Sequence, residues 1–441
     1  MKLSIIQRIK NEYRSYSSAE KLFIFLVMLS SFAITGEASI TRATANSVFL
    51  SAYTVKYFPI AWLASVPLNF LIVAFYNRFL PHLGCARMML LSILVAIGIN
   101  GFCAFYLTTF SWLPFLLYLW KDIFIILMFQ QLWSVIHATI NIDRAKYLYG
   151  ILFGMGGIGS VIGSLFPGFL AVSMGSERLL LTTLPFYILV VLAYSLALRI
   201  REKIPSRQNI STMSKDSTDF LGGMKLIRHS KFLIFILIIV LGMQVSSTVL
   251  DYQFNAVLEK VFSVQDLRTQ FLGRFFGLVN GINVFLQFIG SFVLIRLVGL
   301  HTSHLLIPIY LGLNALGFLA FPSFYMMCLS FGSIKAIDYS IFGILKEMLY
   351  IPLKVDEKFK AKAIIDVFAY RTSKAVASLI VLLLQCVTWI HLDTLLSWGA
   401  IVIFGAWTIA VLFMFKYYYK ELESQHLNWP ESNPNAASVK I

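Results

Sequence analysis

The chain has 441 residues, of which 59% are hydrophobic and only 13% charged, with a formal charge of +15 and a mean hydropathy of +0.79. A soluble chain of this length carries roughly a quarter charged residues, so most of this one does not face water. The basic balance does not point to nucleic acid. Lys and Arg gather in alternate loops between apolar runs, the bias that orients a membrane protein.

Residues 1–21 carry Lys2, Arg8, Lys10, Arg14 and Lys21 ahead of the first apolar run. No clear small-residue cleavage site follows, so this run is expected to remain as an uncleaved first helix. Apolar stretches then recur at about the 20-residue length that crosses a hydrocarbon core of ~30 Å. Lipid leaves the backbone no outside partner, and runs such as Phe232–Gly242 lack strict alternation, so helices are expected rather than a barrel. They fall approximately at 20–40, 57–77, 88–108, 112–137, 147–174, 179–199, 231–257, 271–295, 302–320, 323–345, 363–390 and 394–416, numbered here as segments 1 to 12. With both termini on the cytoplasmic side, most Lys and Arg fall in cytoplasmic loops. A bacterial inner membrane is the expected location, since no Arg/Ser-rich transit peptide leads the chain.

The most polar interior stretch, 199–231, holds eight Lys/Arg and the Ser/Thr run Ser211, Thr212, Ser214, Ser217 and Thr218. It is expected to be a cytoplasmic linker between two six-helix bundles, 1–198 and 232–420, with a disordered tail at 421–441. Weak internal symmetry agrees. Arg78…Gly84…Arg87 follows segment 2 and Arg296…Gly299 follows segment 8; the loops at 142–146 and 355–360 follow segments 4 and 10. The expected fold is therefore an all-α membrane protein, similar to the major facilitator arrangement, in which two bundles rock about a central site.

Segment 5 contains Gly154, Gly156, Gly157, Gly159 and Gly163 with Ser160 and Ser164. No strand precedes this string, so it reads as a helix-packing surface and not as a dinucleotide loop. Cys85, Cys103, Cys328 and Cys386 show no metal-ligand spacing and read as apolar filler. No nucleotide-hydrolysing, zinc-protease or hydrolase motif is present, and His137 at the end of segment 4 has no nucleophile nearby in sequence. No catalytic residue, metal or cofactor is expected.

Charges at membrane depth are costly and normally face a cavity or a partner. They are Glu37 and Arg42 on segment 1, Lys121 and Asp122 on segment 4, Asp251 on segment 7, and Lys335, Asp338 and Lys346 on segment 10; Arg274 opens segment 8. Segments 1, 4, 7 and 10 line the cavity in the major facilitator arrangement. Lys121 can pair with Asp122 or with Glu37, and Lys335 can pair with Asp338 three residues on. Arg274 is expected to snorkel to the interface. Gln130, Gln131, Asn280, Asn283 and Gln287 either meet a substrate or join helices.

Segment 10 and the loop beyond are more distinctive. Asp338-Tyr339-Ser340-Ile341-Phe342 leads into Lys346-Glu347-Met348-Leu349-Tyr350-Ile351-Pro352-Leu353, then Lys360-Ala361-Lys362-Ala363-Ile364-Ile365-Asp366-Val367. This closely resembles the ATP/ADP translocase family of intracellular bacteria and plastids. Trp133, Ala145-Lys146, Tyr149 and Phe153-Gly154 add a weaker match. The resemblance implies nucleotide exchange without hydrolysis, with Lys346 as the basic determinant and Asp122 and Asp251 as acidic ones.

The chain also departs from that pattern. Gly36-Glu37-Ala38-Ser39 stands where the family has a lysine followed by an acid, Asp338 stands where it has a lysine, and Gly343-Ile344-Leu345 replaces its acidic step. ATP is polyanionic and demands cationic partners when desolvated. Arg42, Lys121 and Lys335 can supply them, whereas Glu37 and Asp338 oppose. An extra carboxylate in a dry cavity can carry a proton. The sequence thus leaves two transport readings, a monomeric nucleotide exchanger or a proton-coupled carrier of a less charged solute, beside a non-transporting membrane scaffold.

Overall fold

The computed structural model describes residues 16–140, 142–204, 226–350, 353, 364–365, 370–387 and 392–419. The loop at 355–360, nearly all of the 360–367 stretch, the Ser/Thr run of the linker and the tail lie outside them. The described residues form helices joined by short turns, with no strand among them. Ten helices among them are long and apolar enough to cross a membrane, and Thr372–Cys386 forms a shorter apolar one.

Helix α1 (Ser18–Tyr53) opens with a capping box: Ser17 Oγ accepts from Glu20 N at 3.1 Å, and Ser17 N donates to the Glu20 carboxylate at 2.7 Å. Helix α2 (Phe58–Tyr106) runs for 49 residues, about 73 Å of α-helical rise, long enough for two crossings. Segments 2 and 3 are thus not separated by an open loop. A single residue divides them: Gly84, whose φ of 73° and ψ of 165° lie outside the helical region. Gly299, at the start of α8 (Leu300–Ala320), takes φ 85° and ψ 166°, so the two sequence-matched turns share one backbone conformation. A side chain would strain both positions.

Helices α3 (Leu113–His137), α4 (Ile142–Met174) and α5 (Leu184–Arg201) complete the amino-terminal set, with a 3-10 stretch at Arg178–Thr183 before α5. Proline near the start of α2, α3 and α5 supplies a fixed φ where no intrahelical N–H bond is needed. Helix α6 (Lys231–Val261) runs past its expected end, and α7 (Gln265–Phe285) starts six residues early. Its polar first turns hide α7 from a hydropathy reading. After α8 come α9 (Phe324–Ile337), continued by a π-turn at Asp338–Phe342 and a helix at Gly343–Leu349, then α10 (Tyr370–Val387) and α11 (Leu392–Met414).

Two compact units result: Met1–Met213 with Tyr252–Phe288, and Ser214–Asp251 with Ile289–Ile441. The first has a core of α1, α2, α3 and α5 side chains that includes Phe23, Val27, Phe124, Met128, Tyr187 and Tyr194. Within it α1 and α4 approach main chain to main chain. A Cβ on Gly159 would strike the Phe32 carbonyl, and one on Gly163 would strike that of Gly36. The glycine string is a packing surface, as expected. The second unit centres on Trp407, set edge-on to Phe342 at 5.6 Å, with Gly242 and Gly312 admitting Trp407 and Phe404.

Candidate functional site

In the first unit, helical phase separates Glu37 and Arg42, the two charges in the interior of α1. Between Ser30 and Leu50 only Phe32, Ser39 and Arg42 escape full burial, and their spacings of seven and three put them on one stripe. Arg42 has no ion-pair or hydrogen-bond partner among the described residues. Glu37 lies five residues earlier, about 140° round the helix. It is 1% exposed. Its Oε1 accepts from Thr41 Oγ1 at 2.6 Å, Tyr187 OH at 2.7 Å and Asn100 Nδ2 at 3.2 Å. Asn100 Nδ2 also lies 2.7 Å from Tyr187 OH and 3.4 Å from Thr183 Oγ1. Glu37 is thus walled in by α2, α5 and the 3-10 stretch.

Lys121 pairs with its neighbour Asp122 at 3.0 Å and sits 4.2 Å from the Tyr118 ring centroid. No ion pair joins it to Glu37, because Glu37 projects toward α2 and α5.

In the second unit, the expected Lys335–Asp338 pair does not form. Lys335 Nζ reaches across to α6, 3.4 Å from Asp251 Oδ2 and 3.0 Å from Ser247 Oγ. Asp338 instead accepts from Gln244 Nε2 at 3.0 Å, also on α6. Two rungs therefore tie α6 to α9, and Asp338 opens the π-turn, where the helix accommodates an extra residue. Lys346 follows in the next helical piece, half-buried.

Sequence reasoning missed a third group. Arg268 is 3% exposed and donates to the carbonyls of Ser47 and Phe262 and to Ser51 Oγ. Asp266 accepts from Ser176 N at 2.8 Å and Ser176 Oγ at 2.5 Å, and Gln265 donates to Glu177 at 2.6 Å. Arg274 donates to the Gly168 carbonyl at 2.9 Å while staying exposed, so it joins α7 to α4. The start of α7 is thereby fastened to α1 and to the end of α4. The signal was the dense polar run Gln265-Asp266-Leu267-Arg268-Thr269, which reads as a loop when its neighbours are unknown. The amides serve mostly as links: Gln130 to Asn77, Gln131 to Ser92 and Asn280 to Ser164. His137 stacks on Trp133 at the helix end.

Ionisable side chains placed on membrane-spanning helices, with Lys335 and Asp251 paired from one helix to another, fit a polytopic transporter. Solved structures agree on the fold. The nucleoside transporter NupG superposes with a TM-score of 0.59 at 12% identity, over 89% of this chain and 100% of that one. A bacterial homologue of the human lysosomal transporter Spinster gives 0.57 at 11% identity, over 95% and 100%. Both are major-facilitator-like. The family model for the TLC ATP/ADP transporter matches residues 325–418, which include the segment 10 signature. ADP,ATP carrier protein 3 of Rickettsia conorii is 26% identical over 349 residues, 68% of each chain. That of Rickettsia prowazekii is 26% identical over 351 residues, 68% of this chain and 69% of the other. ADP,ATP carrier protein 1 of Rickettsia bellii is 22% identical over 299 residues, 59% and 58%. Residues 325–418 thus match the ATP/ADP transporter family model, and the likeness to ADP,ATP carriers extends, at 22–26% identity, over more of the chain.

Proposed function

We propose that the chain carries a nucleotide across the membrane by alternating access, exchanging substrates of the ATP/ADP type. The observation that carries this reading is Arg42, a half-buried arginine in a spanning helix with no partner among the described residues, on the one accessible stripe of α1. A guanidinium at such depth is stabilised by a phosphate, which it can grip with two parallel hydrogen bonds. The likeness to ADP,ATP carriers over 68% of the chain supports the same substrate class.

In this reading Lys121, Lys335 and Lys346 meet anionic groups when the cavity is occupied, and Asp122 and Asp251 hold Lys121 and Lys335 when it is empty. Residues 1–198 and 232–420 act as the two moving bundles about the 199–231 linker. The carrier works as a monomer in a bacterial inner membrane with both termini cytoplasmic.

The test is uptake of labelled ATP, ADP and nucleosides by cells expressing the chain, with unlabelled nucleotide on the opposite side. Saturable, counter-substrate-dependent ATP or ADP uptake is expected. If no nucleotide is carried or competes, the assignment fails. A second reading adds protons as the coupling ion. It is favoured by Asp338, an acid whose one hydrogen bond among the described residues comes from the neutral Gln244. Unchanged uptake in the presence of a protonophore would remove it.

A further inference from the structure

Glu37 receives three hydrogen-bond donors, and all three converge on Oε1. Its other oxygen, Oε2, is buried and meets no donor among the described residues, and the same holds for Asn100 Oδ1, on a residue 2% exposed. Two bare oxygen acceptors, one of them on a carboxylate, thus belong to residues of two helices that are joined through Asn100 Nδ2 and Glu37 Oε1. Buried polar atoms are normally satisfied, and a buried carboxylate without a counter-charge is costly.

Of the charged side chains on α1 and on the elements packed against it, none forms an ion pair with Glu37 among the described residues. Lys121 and Asp122 pair with each other. Arg268 and Arg274 donate to main-chain carbonyls. Arg42 is on the opposite stripe. The titratable group that does face Glu37, Tyr187, is one of its donors.

We propose that the Glu37–Asn100 enclosure between α1, α2 and α5 is a binding site for a small monovalent cation, sodium or a proton. The candidate ligands are all oxygen: the carboxylate of Glu37 and the amide carbonyl of Asn100, with the hydroxyls of Thr41 and Tyr187 on Glu37 Oε1 and that of Thr183 on the Asn100 amide nitrogen. Such hard ligands suit hard cations and not thiophilic metals. One carboxylate balances one positive charge, whereas a divalent ion would leave net charge buried. The site needs no nucleotide, so it stands independently of the transport reading. Where that reading holds, cation occupancy also fixes the seating of α1, and with it the position of Arg42 on the other face.

The experiment is thermal unfolding of the purified full-length protein in detergent, in sodium, potassium or choline chloride at matched ionic strength, and in choline across the neutral pH range. A cation that binds only the folded state raises Tm with concentration. A sodium-specific rise that disappears in Glu37→Gln identifies sodium as the ligand. A rise on acidification in choline that disappears in the same variant identifies the proton. Tm values that respond to neither, or that respond equally in Glu37→Gln, overturn the proposal. Because the cation titration on the unaltered protein already discriminates sodium, the result does not hang on the variant folding; Asn100→Ala provides a second ablation. Nucleotide uptake is scored separately, so loss of one finding leaves the other standing.

Discussion

Arg42 and Glu37 show how much a few residues of helical phase decide. Both are ionisable groups on one spanning helix, yet one lies on an accessible stripe without a described partner and the other is enclosed by hydroxyls and an amide. Replacing Arg42 with Gln keeps length and polarity but removes the charge. A hydrogen bond to a charged group is worth about 1.5–3 kcal/mol, so KM for ATP should rise roughly 10- to 100-fold with little change in Tm. Uptake kinetics against unfolding curves check this. An unchanged KM would take Arg42 out of the substrate path. The Lys335–Asp251 pair makes a different prediction. Either single change, Lys335→Gln or Asp251→Asn, strands a half-buried charge, whereas the double change strands none. A double-mutant cycle on unfolding free energy should therefore give a coupling of about 1–2 kcal/mol, within the usual range for contacting groups. A coupling near zero would mean that the 3.4 Å approach is incidental.

At the scale of elements, α4 is what lets α1 sit deep in its bundle. Gly159 and Gly163 bring main chain against main chain, so a side chain there meets backbone of α1 that has little room to give. Gly163→Ala should destabilise by about 1–3 kcal/mol, the ordinary cost of overpacking. A Cβ on Gly98 in α2 would meet nothing within 4 Å, and Gly98→Ala should be neutral or stabilising by up to ~1 kcal/mol from helix propensity alone. Unfolding curves of the two variants give the comparison, and equal effects would contradict the packing role. Sequence spacing revealed that these glycines pack, because a small residue every few positions inside an apolar helix has few other uses. The partner of that surface was not legible. Only the fold shows that Phe32 and Gly36 of α1 fill it.

On the scale of the whole molecule, alternating access requires some contacts to open in every cycle. The start of α7 belongs by sequence to the second half, yet it is bonded to α1 and to the end of α4 through Asp266, Arg268 and Gln265. If this seam parts during transport, holding it shut should stop uptake. With the four native cysteines replaced, Ser176→Cys combined with Thr269→Cys places two thiols where the hydroxyl oxygens are 2.7 Å apart. Cross-linking is expected to abolish uptake and reduction to restore it, while either single cysteine leaves it intact. Full activity in the cross-linked protein would show that the seam is a fixed part of the scaffold.

Composition and apolar run length determined that this chain spans a membrane with helices, because lipid admits few other ways to satisfy a backbone. The segment 10 signature was equally legible, since a run of specified residue types carries kinship without any knowledge of contacts. Tertiary structure decided which charges work together. Lys335 could pair along its own helix or across to the next, and the choice of Asp251 over Asp338 depended on where α6 lies. The enclosure of Glu37 drew on Asn100 and Tyr187, 63 and 150 residues away in sequence, and the burial of Arg268 on a loop-like run becoming helix against α1. Pairing at a distance is a property of packing, and local sequence holds no record of it.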